Sequence, residues 1–184
     1  ATKYTLKQGG IHAAFSPDGK TLAAYEERME LDRSNRTPVA ENALIEDGII
    51  PCSWHWPEGK NLHFGDRLIR RDSWINLLDP ITGESKGKLT HPEGYGVAQE
   101  LAWSPDGKTI YSLQRGVTDV YDVPSRKHKA KLFGHDDSAT AIAFTSDPNI
   151  VITGGFDHRI KQWNVKEGKS IREWKGHQQS ISSL

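Results

Sequence analysis

Eight histidines, one cysteine and a normal share of acids are the raw material from which this 184-residue chain would build a metal site or an activated nucleophile. Zinc sites need four close ligands, and their sequence trace is a pair such as H-x-x-x-H or H-E-x-x-H. His12, His55, His63, His91, His128, His135, His158 and His177 contain no such pair. Cys52 and His55 form one C-x-x-H, and no second pair completes a tetrahedral set. A nucleophile would need a base and an orienting group held beside it. No G-x-S-x-G elbow is present, and the Ser-Pro-Asp-Gly stretches have the chemistry of turns. His91 to Gly96 is rich in glycine but lacks the lysine and following helix of a phosphate loop. The expectation is a chain with no catalytic residue, no metal and no cofactor.

Binding chemistry is the alternative. The 24 basic and 24 acidic residues cancel, which leaves no overall field to attract nucleic acid or an anionic membrane. Nothing resembles a membrane-spanning run of about 18 apolar residues, and the N-terminus has no signal-peptide pattern. A single cysteine precludes an internal disulfide and suits a reducing compartment, so a cytoplasmic location is expected. The local feature with docking character is Trp54 and Trp56, followed by Arg70, Arg71 and Trp74. Strand alternation would put Trp54 and Trp56 on one face. Packing in a core is the plainer role for them; a docking patch is the sharper one, because Trp and Arg dominate binding hot spots.

These residues must be held by elements, and the elements repeat. Phe15-SPDGKTL-Leu22 is matched by Trp103-SPDGKTI-Ile110, more loosely by His55-WPEGKNL-Leu62, and weakly by Thr145-SDPNI-Ile150. Each reads as a strand, a turn and a second strand, with Pro fixing φ and, in the first three, Gly taking positive φ. A second phrase ends a strand in a bulky residue followed by Asp or Asn: Leu78-Asp79, Tyr121-Asp122 and Trp163-Asn164, at intervals of 43 and 42. A third is Gly134-His135 and Gly176-His177, again 42 apart, with Thr90-His91 a degenerate copy. Markers sharing one period in one order predict stacked copies of one unit. No stretch sustains a helical period over three turns, although Glu26 to Leu31 is open to a single helical turn, and residues 26 to 46 read as an insertion.

This pattern resembles the WD-repeat β-propellers, whose units run from Gly-His to Trp-Asp. The resemblance is most specific over residues 134 to 164 and weakens toward the N-terminus. It implies an all-β fold of four-stranded antiparallel blades, forming an incomplete ring in this chain. The blades are expected at approximately 11–49, 50–90, 97–133 and 139–175, with the start of a further blade at 180–184. Carried over position by position, the family's structural hydrogen-bond network falls on His135, Thr153, Asp157 and Trp163. A buried carboxylate, imidazole, hydroxyl and indole can satisfy one another in a chain.

The resemblance also places Phe156, beside Asp157, on a loop surface where partners dock. It implies a non-catalytic scaffold or sensor module within a larger protein or complex, binding other proteins and neither nucleic acid nor membrane. A propeller with an enzymatic or ligand-binding funnel, and a purely structural subunit, are the alternatives. The ring is expected to be completed by further sequence or by a second chain.

Overall fold

The structure, a computed structural model, describes residues 3–32, 67–90, 98 and 100–184, and the side chains of 12–26, 73–90, 98 and 100–184 among them. The expected insertion beyond residue 32 and the first part of the expected 50–90 blade therefore lie outside the described residues. Two compact units are distinguished. One comprises 1–8 and 27–72, and its described portions, 3–8, 27–32 and 67–72, are strand. The other comprises 9–26 and 73–184 and holds the two cores and the hydrogen-bonded clusters described below.

No helix occurs among the described residues. The strands are β1 (Lys3–Phe15), β2 (Leu22–Asp32), β3 (Arg67–Leu78), β4 (Ser85–Thr90), β5 (Glu100–Trp103), β6 (Thr109–Leu113), β7 (Arg115–Asp122), β8 (Lys127–Phe144), β9 (Ile150–Gly155), β10 (Ile160–Asn164) and β11 (Lys169–Trp174). Glu26 to Leu31 belong to β2, so the helical turn considered for them is corrected to strand. The β1 to β4 strands form one four-stranded sheet in that order. Strands expected in the 11–49 and 50–90 blades are thus neighbours in a single sheet, and the boundary drawn between those blades falls on residues outside the description. The other seven strands form a continuous sheet in the order β11-β10-β9-β8-β7-β6-β5.

That sheet is continuous because β8 serves twice. Its residues 127 to 133 pair with β7, and its residues 139 to 144 pair with β9. Between them Gly134 takes φ 138°, a conformation that L side chains rarely adopt. The seven strands are therefore two four-stranded layers, β5 to β8 and β8 to β11, sharing one long strand.

Repeated turn chemistry sets the repeat. In Ser16 to Thr21, the Ser16 hydroxyl donates to Asp18 Oδ1 at 2.6 Å and accepts from the Thr21 amide at 2.9 Å. Ser104 makes the same two bonds, to Asp106 Oδ1 at 2.6 Å and from the Thr109 amide at 2.9 Å. Gly19 and Gly107 both take φ 69°, as the turn requires. Each sheet also carries a bulge at one matching place in the pairing of its last two strands, immediately before Leu78, Tyr121 and Trp163; the β7–β8 pair has a second irregularity between Arg115 and Val117. The extra residues on the outer strands are Lys86, Lys129 and Ile171.

Alternation then builds two cores. Ala23, Tyr25, Ile75, Leu77 and Leu89 of the first sheet pack with Leu101, Trp103, Ile110 and Tyr121 of the second. Tyr111, Leu113, Val120 and Leu132 of the second pack with Ala139, Val151 and Trp163 of the third. Successive sheets bury one another's faces, which no single blade could do alone. An indole stitches the first two layers further, Trp103 Nε1 donating to the Ala14 carbonyl at 3.0 Å, while Lys86 Nζ donates to the Lys20 carbonyl within the first sheet.

Candidate functional site

The third sheet brings His135, Thr153, Asp157 and Trp163 together. Thr153 stands in the middle of β9, Trp163 near the end of β10, Asp157 in the turn joining those strands, and His135 in β8 just past Gly134. His135 Nδ1 lies 2.8 Å from Asp157 Oδ2, and its Nε2 lies 2.7 Å from Thr153 Oγ1. Trp163 Nε1 donates to the same Thr153 oxygen at 2.7 Å. A neutral imidazole satisfies every partner: Nδ1–H donates to Asp157, Nε2 accepts the Thr153 hydroxyl proton, and the Thr153 oxygen accepts the indole proton.

Asp157 has further donors, the amides of Asp136 at 3.0 Å and Arg159 at 3.2 Å. Burial pushes its carboxyl upward, but the His135 bond and the two backbone amides outweigh that and hold it below the ordinary value. The turn also stores a left-handed residue, His158 at φ 63°. Hydroxyl, imidazole and carboxylate in this order are the ingredients of a nucleophilic triad. Thr153 is fully buried, however, and its oxygen is already engaged by Trp163. No substrate carbonyl can reach it, so the arrangement is a clasp between β8, the turn and β10.

The second sheet closes differently, through residues that the sequence reading did not assemble. Gln114 Nε2 donates to Asp119 Oδ2 at 3.0 Å and sits 3.3 Å from Ser112 Oγ, while His128 Nε2 is 2.7 Å from Asp119 Oδ1. Asp119 is completely buried. Counting back from the bulge, Asp119 occupies the place of Lys161 in the third sheet. Asp119 faces Lys131 in register, whereas Lys161 faces Glu173 and bonds it at 3.0 Å. The cross-strand pair is thus reversed in sign from one sheet to the next. The available signal was a matching count back of two residues, from Tyr121 to Asp119 and from Trp163 to Lys161.

The expected docking residues separate. Trp54 and Trp56 lie outside the described residues. Arg70 and Arg71 are in β3, at positions whose side chains are not described. Trp74 is half-buried, donating Nε1 to Glu26 Oε2 at 3.0 Å with Lys88 Nζ 5.4 Å from its ring centroid. Phe156 is 49% exposed, on the turn held by the clasp. Phe133, which the sequence reading did not single out, is 62% exposed in β8 just before Gly134. No group of three or more His, Cys, Asp or Glu able to hold a metal occurs among the described residues.

Four-stranded antiparallel sheets packed face on face in series, the third beginning with the inner stretch of the strand that ends the second, define blades of a β-propeller. Residues 126–164 match the family described as WD domain, G-beta repeat. The chain is 29% identical over 143 residues to Protein groucho of Drosophila melanogaster and, equally, to Transducin-like enhancer protein 2 of Mus musculus. These alignments cover 76% of this chain but only 19% and 18% of those proteins. Among solved structures, the RRP9 WD40 repeats align with a TM-score of 0.60 at 15% identity, and U3-55K with 0.58 at 14%. Each comparison covers 98% of this chain and 44% of the other. Residues 126–164 thus match a WD repeat, and the chain has the fold of the WD40-repeat β-propellers, spanning less than half of the solved chains it matches.

Proposed function

We propose that this chain is a non-catalytic protein–protein interaction module, working as a scaffold or sensor within a larger protein or complex. The observation that carries this reading is the mounting of Phe156. Its neighbour Asp157 is fixed by an imidazole and two backbone amides, so the exposed ring is presented on a loop with little freedom left to lose. Pre-organised apolar side chains of this kind bind with a small ordering cost. The burial of Thr153 supports a structural use of the one triad-like arrangement among the described residues.

Ring completion by further sequence or a second chain belongs to the same reading. Phe15, at the place of Trp103 and Phe144 in the other sheets, is 61% exposed, whereas Trp103 lies in one core and Phe144 packs against the other. A cytoplasmic location accords with the lone cysteine. The test is partner capture with the wild-type chain and with Phe156→Ala. A partner retained by the first and lost by the second, at unchanged melting temperature, is the expected result. Equal capture by both would remove Phe156 from the docking surface.

A further inference from the structure

The three sheets serve as controls for one another, and one outer strand breaks their common pattern. Lys86 on β4, Lys129 on β8 and Ile171 on β11 are the same bulge residue in successive sheets. Bulges and lysines on outermost strands are how proteins prevent another chain from adding to an open edge. Lys86 and Lys129 are exposed although a further sheet follows each of theirs. The exposure of this position therefore does not depend on what covers the blade face. At the third copy the lysine is replaced by isoleucine, 52% exposed.

The charges around Ile171 are one-sided. Glu173, the acid of β11, is engaged inward by Lys161 at 3.0 Å and by Arg159 and Lys175 at 3.3 Å each. Lys169 and Arg172 stay exposed on the strand, with the Arg172 guanidinium 5.4 Å from the Trp174 ring centroid. β4 has part of its edge occupied, since Arg126 Nη2 donates to the Lys86 carbonyl at 2.7 Å. β11 ends its sheet with no described strand on its outer side.

We propose that the outer edge of β11 accepts an acidic, extended segment of a partner protein as an added strand. Backbone pairing along β11 supplies affinity, Ile171 anchors an apolar side chain, and Lys169 and Arg172 select acidic residues at flanking positions. This rests on the reading of the chain as an interaction module but uses a surface separate from Phe156.

The experiment is fluorescence anisotropy with the whole chain and a labelled peptide of about eight alternating Glu and Val residues, a strand's length. A Lys/Val peptide and a thymidine oligonucleotide of similar length are the comparisons. The acidic peptide should bind, and Ile171→Lys should weaken it by about tenfold or more, as expected for a buried anchor. That variant restores the residue found at the two equivalent positions, so its melting temperature should be unchanged. Phe156→Ala should leave peptide binding intact, which separates this site from the docking loop. Absence of binding, equal binding by Ile171→Lys, or preference for the basic peptide or the oligonucleotide overturns the proposal.

Discussion

Thr153 Oγ1 sits 2.7 Å from His135 Nε2 while also accepting the indole proton of Trp163 at 2.7 Å, so one hydroxyl serves two buried rings. Replacing it with valine keeps the shape and strands both partners. Thr153→Val should cost about 2–4 kcal/mol, the penalty for two unsatisfied buried groups. Thr153→Ser keeps the hydroxyl and loses a methyl, so about 1 kcal/mol is expected. Urea unfolding of the two variants measures the difference, and equal losses would mean that packing rather than hydrogen bonding sets the cost.

Asp157 gives the clasp an acid dependence. Its folded carboxyl lies below the ordinary 3.8. Above that value both folded and unfolded chains carry the charge and its stabilising contribution is fully present. As pH falls through it, the unfolded chain binds the proton first, and the contribution shrinks until the folded value is passed. Stability of the wild type should therefore decline more steeply below 3.8 than that of Asp157→Asn. Asp79 offers a direct check. The amides of Thr82 and Ile81 and the Lys86 ammonium hold its carboxyl at about 2, which carboxyl NMR titration should reproduce.

Much of this was legible because the repeat writes its own turns. Pro and Gly in Ser16 to Gly19 and Ser104 to Gly107 dictate one backbone path, and both copies show the same bonds. The WD-like residues of 134 to 164 likewise name their own partners. What turn chemistry does not encode is which strands pair across a long connection. The phrase at 55 to 62 carries the same turn signals, yet β2 and β3 are sheet neighbours with residues 33 to 66 between them in sequence. Asp119 stayed hidden because its partners Gln114 and His128 converge through strand pairing, with no local motif to announce them. Ile171 was equally silent until register aligned it with Lys86 and Lys129.

Arg126 holds a left-handed φ of 58° where the matching turns have Gly83 at 74° and Gly168 at 67°. A Cβ added to Gly87 would lie 2.7 Å from the Arg126 guanidinium carbon, with Gly87 itself at φ 136°. Gly87→Ala should thus cost about 1–3 kcal/mol through strain at a special backbone position. Part of that cost should vanish in the Arg126→Gly background, because the steric component disappears while the φ component stays. A double-mutant cycle measures the coupling; strict additivity would show that the guanidinium yields freely.

Gly154 accepts Ile181, whose Cγ2 would stand 2.6 Å from an added Cβ. Gly154→Ala should lift the 178–184 segment without unfolding the sheets. The readout is hydrogen exchange at the Ile181 amide, which donates to the Gly155 carbonyl at 3.1 Å. Faster exchange there with unchanged protection in β9 and β10 is expected; uniform loss of protection would mean that Gly154 is needed for the sheet itself.

The double duty of β8 makes alignment errors contagious. Side chains alternate along a strand, so a slip of one residue turns every one of them to the opposite face. Were 127 to 133 to pair one residue out against β7, Leu132 would leave its core and Lys131 would enter it. The same displacement, carried through Gly134, would pull His135 off Thr153 and shift 139 to 144 against β9. A misregistered layer cannot be tolerated locally, because its neighbour inherits the mistake. Proofreading of one blade is thereby performed by the contacts of the next.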